Sequence, residues 1–352
     1  ILVETQAPDG YIISPTLAAG KQITLSESSA ADNDTVADVE TNQQGSVTLK
    51  KTDSSTGNQL DGAVFSLYEK DGTLVKSGLT TENGELSYSG LNAGDYYFVE
   101  TSAPAGYHFD PNKQYAFTLD SDNISATVNV SNDENSVVLT KTDSNSSDNN
   151  PVQGATYSIY TSDGTEVASG LTTDANGQIE YQNKDLAAGD YYFVETDSPD
   201  GYQLSTKHYD FTVSDNQQAT VQVNSSDQEN SVTLTKTDGS ANGVVKGATY
   251  SIYTSDGKLV KDNLTTDANG QIEYQSQDLT SGNYYFVETS APDGYQLSSK
   301  HYDFTISKNL QSTVKVSADD EENAVVLTKT NSDSSDNSPV EGAVYSIYTS
   351  DG

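Results

Sequence analysis

Val137-Val138-Leu139-Thr140-Lys141-Thr142 alternates apolar and polar side chains with a period of two, the signature of a strand with one face against a core. In such a strand Val137, Leu139 and Lys141 point the same way, so a lysine stands in phase with the apolar row. The same line, Val-x-Leu-x-Lys-Thr, returns at 47–52, 232–237 and 325–330. Its lysines, Lys51, Lys141, Lys236 and Lys329, are 90, 95 and 93 residues apart. A period of that size is a whole domain, not a solenoid turn.

Each copy continues in a fixed order. Gly-Ala-x-Phe/Tyr-Ser-Leu/Ile-Tyr begins at Gly62, Gly154, Gly247 and Gly342, and an Asp-Gly turn follows. Next come Leu-Thr-Thr and Asn-Gly (Asn83-Gly84, Asn176-Gly177, Asn269-Gly270), or Leu-Thr-Thr-Glu-Asn-Gly in the first copy, then Tyr-Tyr-Phe-Val-Glu-Thr and Pro-x-Gly-Tyr at Pro104, Pro199 and Pro292. Strands of five to seven residues joined by such turns predict hairpins and a compact sandwich. The units fall at 46–135, 136–230 and 231–323, with the back part of an upstream module at 1–45 and the front part of a further one at 324–352. The fold class is therefore all-β: tandem Ig-like sandwiches, whose short linkers imply an extended rod. The chain begins and ends in mid-pattern, as a fragment of a longer protein would.

Seventeen basic against fifty-two acidic residues give a net charge of −35, which repels phosphates and anionic lipid, so neither nucleic acid nor membrane is an expected partner. The acidic loops, such as Asp143 to Asn150, lack the ligand spacing of a calcium loop. Without cysteine there is no disulfide and no thiolate metal site. His108, His208 and His301 occur one per repeat, too far apart for a zinc site or a triad, and read as strand residues. No cofactor, no metal and no enzymatic constellation is expected. The 23 tyrosines raise the question of a carbohydrate platform. Along a strand, however, Tyr191, Phe193 and Glu195 share one face while Tyr192 and Val194 share the other, which favours core and interface packing.

Phase also puts Glu100, Glu195 and Glu288 on the face of Phe98, Phe193 and Phe286. A buried lysine is driven toward its neutral, nucleophilic form unless a carboxylate compensates. The order Leu-x-Lys-Thr-Asp, Gly-Ala-x-Phe/Tyr-Ser-Leu/Ile-Tyr, Val-Glu-Thr-x-x-Pro-x-Gly-Tyr, repeated over essentially the whole chain, resembles the Cna-B or SpaA-type modules of Gram-positive collagen adhesins and pilins. That resemblance implies a prealbumin-like sandwich in a wall-anchored or secreted surface protein. It also implies a spontaneous isopeptide bond from the first-strand lysine (Lys51, Lys141, Lys236) to an Asn or Asp near the last strand, promoted by Glu100, Glu195 and Glu288.

Two acceptor sets precede each following lysine: Asn135, Asn230 and Asn323 by six residues, and Asn132, Asp227 and Asp320 by nine. Acceptor to next lysine must span about one domain, roughly 30 Å, which about nine extended residues cover and six do not. Asn132, Asp227 and Asp320 are therefore the expected acceptors. Asn135, Asn230 and Asn323 are then linker residues, at a boundary where Gly45 suggests left-handed backbone. The chain so read is a structural stalk. The competing reading gives the repeats a binding role toward host surface glycan, mucin or matrix protein through loops such as 143–151 and 331–339. The ragged ends add a further expectation: Glu4 and Asn42 lack a lysine and Lys329 lacks a glutamate, so two chains are complementary head to tail by strand pairing.

Overall fold

The computed structural model describes residues 1–24, 39–214, 220–239, 243–332 and 338–351. Most of the loop at 331–339 thus lies outside the described residues. Contacts divide the chain into two compact units, 1–199 with 204–228, and 200–203 with 229–352.

The first unit opens with β1 (Tyr11–Ile12) and the short helix α1 (Pro15–Ala19). Its first sandwich comprises β2 (Gln43–Asp53), β3 (Val64–Glu69), β4 (Leu74–Thr80), β5 (Glu85–Leu91), β6 (Gly94–Ser102), β7 (Tyr107–His108), β8 (Gln114–Leu119) and β9 (Ser125–Glu134). One sheet runs β1-β2-β9-β7 with β5 also on β2, and the other runs β4-β3-β6-β8. Next along the chain come β10 (Ser136–Asp143), β11 (Thr156–Thr161), β12 (Glu166–Thr172), β13 (Gln178–Gln182), β14 (Gly189–Asp197), β15 (His208–Val213) and β16 (Val221–Asp227), forming sheets β13-β10-β16 and β12-β11-β14-β15. The third sandwich repeats this with β17 (Ser231–Asp238), β18 (Thr249–Thr254), β19 (Leu259–Thr265), β20 (Gln271–Gln275), β21 (Gly282–Ser290), β22 (His301–Ile306) and β23 (Val314–Asp320), in sheets β20-β17-β23 and β19-β18-β21-β22.

The all-β sandwich expectation agrees with this architecture. In β10 the burial alternates as the sequence does, with Val137, Leu139 and Lys141 buried and Val138 and Thr140 half-buried. The core lies between the two sheets. In the second sandwich it is built from Leu139, Tyr157, Ile159, Phe193 and Phe211, with Tyr157 edge-on to Phe193 at 6.1 Å, a geometry that aromatic quadrupoles favour.

Two expectations need correction. Asp-Gly turns do close hairpins, β3 with β4, β11 with β12 and β18 with β19. The Asn-Gly turns instead carry the chain from one sheet to the other, since β4 pairs with β3 while β5 pairs with β2. Their geometry differs too: Asn83 and Gly84 both take positive φ, 51° and 70°, whereas in the second module only Gly177 does and the Asp174 carboxylate caps Asn176 and Gln178 instead.

Gly45 is not left-handed. It is needed because a Cβ there would sit 2.2 Å from the Leu91 carbonyl oxygen. The outward tyrosines form rows across neighbouring strands: Tyr160, Tyr192 and His208 stack at 5.6 and 4.2 Å, and Tyr253, Tyr285 and His301 do the same. Stacked rings cover one another's faces, so the row contributes cross-strand stability.

The described residues of 324–352 repeat the lysine motif but form no named strand. Val325 is 82% and Leu327 62% exposed, and among the described residues a bridge joins Thr330 to Pro339.

Candidate functional site

Parallel pairing of the first and last strands builds the site. In β10 and β16 the register sets Lys141 opposite Ser225 and Asp143 opposite Asp227, so Asp227 lies one pleat along on the lysine's own face. The same offset brings Lys51 to Asn132 across β2 and β9, and Lys236 to Asp320 across β17 and β23. The glutamate comes from the opposite sheet, on β6, β14 and β21, and closes the site across the core. All three lysines are fully buried, as are the glutamates and acceptors to within 3%.

In the first module Lys51 Nζ donates to Asn132 Oδ1 and lies 3.3 Å from Glu100 Oε2. Asn132 Nδ2 donates to Glu100 Oε1 at 2.8 Å. Burial lowers the Lys51 amine to about 8, against the opposing pull of the Glu100 charge. Burial also raises Glu100, which Lys51 and Asn132 hold back. One cation and one anion face each other around a neutral amide.

The second and third modules hold one cation and two carboxyl groups. Lys141 Nζ donates to Asp227 Oδ1 and lies 3.3 Å from Glu195 Oε1, and Lys236 Nζ donates to Asp320 Oδ1 and lies 3.8 Å from Glu288 Oε1. The outer oxygen of each glutamate is held by a backbone amide, Ser205 N–H on Glu195 at 2.7 Å and Ser298 N–H on Glu288 at 2.9 Å. The inner oxygens, Glu195 Oε1 and Asp227 Oδ2, accept no hydrogen bond. Burial, and then the Asp227 charge, raise Glu195, while burial raises Asp227. Two like charges around one amine in a dry core are too many, so the pair holds one proton between them.

The sequence reading overlooked one group of this site. Tyr157 is fully buried, accepts from Lys141 Nζ at 2.7 Å and donates to Ser225 Oγ at 3.2 Å. Tyr250 is the equivalent beside Lys236, whose Nζ lies 5.6 Å from its ring centre, but the first module has Phe65 there. The signal was present in the Phe/Tyr alternation of the second motif: tyrosine accompanies an Asp acceptor, phenylalanine an Asn.

The alternative asparagines lie elsewhere. Asn135 and Asn230 are buried, but their side-chain amides donate to Leu186 O and Leu279 O, not toward a lysine. Asn323 donates its backbone N–H to Gly294 O. Glu4 Oε1 accepts from Asn42 Nδ2 at 2.7 Å, repeating the Glu100–Asn132 pair without an amine, and Lys329 lies exposed.

A second hydrogen-bonded corner explains why two distant motifs travel together. Asp53, of Leu-x-Lys-Thr-Asp, accepts from the Ser55 and Thr56 amides and from the Tyr107 hydroxyl of Pro-x-Gly-Tyr. Burial pulls its carboxyl upward, yet these donors hold it well below the usual range. Tyr295 reaches Asp238 in the same way at 3.4 Å.

The SpaA-type prealbumin-like fold domain matches residues 45–134, 135–228 and 230–322. The chain belongs to the SpaA prealbumin-like domain family. A collagen adhesin of Staphylococcus aureus is 35% identical over 94 residues, 25% of this chain and 8% of that protein, so this chain spans only a small part of its relative. Among solved structures, the Bacillus anthracis TIE protein aligns at 24% identity and TM-score 0.46, over 80% of this chain and 52% of its own. The major pilin subunit of Bacillus cereus aligns at 23% and 0.36, over 79% and 99%. The full-length major pilin SpaD of Corynebacterium diphtheriae aligns at 15% and 0.36, over 80% and 98%. The family assignment rests on the domain matches. No helix among the described residues is long and apolar enough to cross a membrane.

Proposed function

We propose that this chain is a stalk segment of a wall-anchored or secreted surface protein, and that each complete module closes itself with an isopeptide bond: Lys51–Asn132, Lys141–Asp227 and Lys236–Asp320. The observation that carries this reading is the recurrence, in three modules, of a buried amine in contact with the acceptor oxygen and beside a buried glutamate. The neutral amine attacks the acceptor carbonyl carbon. A C–N bond forms, the neutral amine gives up one proton, and the bond to the leaving group breaks, that proton departing with it as ammonia from Asn132 or as water from Asp227 or Asp320. Glu100, Glu195 and Glu288 pass the protons from nitrogen to the leaving group, and the fold supplies proximity in a water-poor core.

Intact mass tests this directly. The full chain is expected to be lighter than its sequence mass by one ammonia and two waters, and a mass equal to the sequence mass ends the proposal. The competing reading, glycan or matrix binding by the repeats, predicts that the isolated chain is retained on such ligands, which a stalk alone is not.

Ammonia comes only from the first module, so its release isolates Lys51. With the amine at about 8, about one in ten is neutral at pH 7. When freshly translated chain held in denaturant is diluted to refold, ammonia release is expected to quicken about tenfold per pH unit and level off near pH 8. An inflection at the ordinary lysine value of 10.5 would show that burial does not prime this amine.

A further inference from the structure

The module junctions hold a second set of recurring contacts, away from the buried lysines. In the first unit Asn135 N–H donates to Gly106 O at 2.8 Å, Asn135 Nδ2 donates to Leu186 O at 2.6 Å, and Asn183 N–H donates to Asn135 O at 3.1 Å. Gly106 (φ 85°) lies so close to the loop that a Cβ would stand 1.9 Å from Lys184 O. Within the second unit the pattern repeats: Asn230 N–H to Gly201 O at 2.7 Å, Asn230 Nδ2 to Leu279 O at 2.8 Å, Ser276 N–H to Asn230 O at 3.1 Å. A Cβ on Gly201 would stand 2.6 Å from Gln277 O.

The junction ahead of the first module is built differently. There Gly45 occupies the asparagine's place and abuts Leu91 O with no side chain between, and Gly10 packs on Gly90. The receiving loop differs to match. From Gly84 to Leu91 is seven residues, whereas Gly177 to Leu186 and Gly270 to Leu279 are nine. The extra pair, Lys184-Asp185 or Gln277-Asp278, is the part that meets Gly106 or Gly201.

We propose that these contacts are a docking code between modules. A socket made of the terminal asparagine and the glycine of Pro-x-Gly-Tyr receives a module with the long loop, and a bare glycine receives a module with the short one. The asparagine amide bridges the gap that the longer loop opens and satisfies a buried carbonyl that would otherwise be orphaned. The partner of each socket is thus a module of the same family, chosen by loop length. This inference stands apart from the cross-link and does not require it.

The test uses the full chain and amide exchange. Asn135→Ala is expected to leave the intact mass shift unchanged while amides at 183–186 exchange about tenfold faster, because the Leu186 carbonyl loses its donor. A changed mass shift would make Asn135 a cross-link acceptor and overturn the proposal, as would unchanged exchange. A second comparison controls for folding. Gly106→Ala and Gly294→Ala impose similar backbone strain, φ 85° and 93°, but only the first meets a neighbouring loop, since nothing lies within 4 Å of Gly294. Exchange at 183–186 is expected to rise in Gly106→Ala well beyond any rise at 276–279 in Gly294→Ala. Equal, small changes in both would show that no socket operates.

Discussion

Glu195→Ala is expected to leave the second module folded but open, one water heavier than in the parent chain, and less stable by about 4 to 5 kcal/mol. The figure follows from the loop that the bond would close. Lys141 and Asp227 are 86 residues apart, and tying the ends of a loop of that size removes chain entropy from the unfolded state by about that amount. For a domain of this size the loss corresponds to a fall of roughly 20 °C or more in the melting transition. The substitution isolates the bond better than removing the lysine does, because Lys141 keeps Asp227 as a counter-charge and no unpaired cation is left in the core. Calorimetry with peptide-level exchange reads the outcome, and the first and third modules serve as internal standards. A variant that still lost its water would show that Glu195 does not move the proton. A variant as stable as its parent would show that the second module has no bond to lose.

Much of this was legible in the residues. Period-two alternation placed Lys141 and Glu195 inward with Leu139 and Phe193, and all four are buried. Alternation reports only which face a side chain takes, and here that was enough to single out two charges in a core. Pairing partners are another matter. That β10 runs parallel to β16, across most of a module, is set by the packing of both sheets and leaves no local mark, so a chain-length argument had to stand in for it.

The Asn-Gly turns were misread for a related reason. Asn83-Gly84 has the geometry of a hairpin turn, and only the sheet assignment of its flanking strands reveals a crossing. Gly45 illustrates the converse: glycine suggested a backbone angle, whereas the structure needs an absent Cβ. Asn135 was assigned to the linker and does lie at the junction, but its use there, reaching Leu186 O in a neighbouring module, depends on a loop fifty residues away in sequence. The shared proton and the Tyr157 hydroxyl belong to the same class. Each depends on three side chains from three strands, and a single sequence shows only that the residue types change together.

Charge balance in the second module leads to the largest expected effect. Lys141→Met keeps the volume of the side chain near that of the original, but it abolishes the bond and leaves Glu195 and Asp227 facing each other with no cation. Losing one partner of a buried charge set costs about 3 to 5 kcal/mol, in addition to the cross-link, a combined loss comparable with the whole stability of a domain. The loss is expected to depend on pH in a definite direction. Burial, with Asp227 second, already raises the Glu195 carboxyl to about 8, burial raises Asp227, and Lys141 lowers both. Without the lysine both move further up. A carboxyl whose folded pKa exceeds its unfolded value favours folding fully only below the unfolded value, and that stability is lost as pH rises through the folded one. The second module of Lys141→Met is therefore expected to be folded near pH 4 and to unfold as the pH climbs through neutrality toward 8, while the first and third modules stay folded. Adding Glu195→Gln and Asp227→Asn removes the titrating pair, and this triple variant is expected to fold alike at pH 4 and pH 8, short only of the cross-link. Exchange across 136–230 in the single variant that did not change between those pH values would mean that the two carboxyls do not share a dry site, and the assignment of a common proton to Glu195 and Asp227 would fall with it.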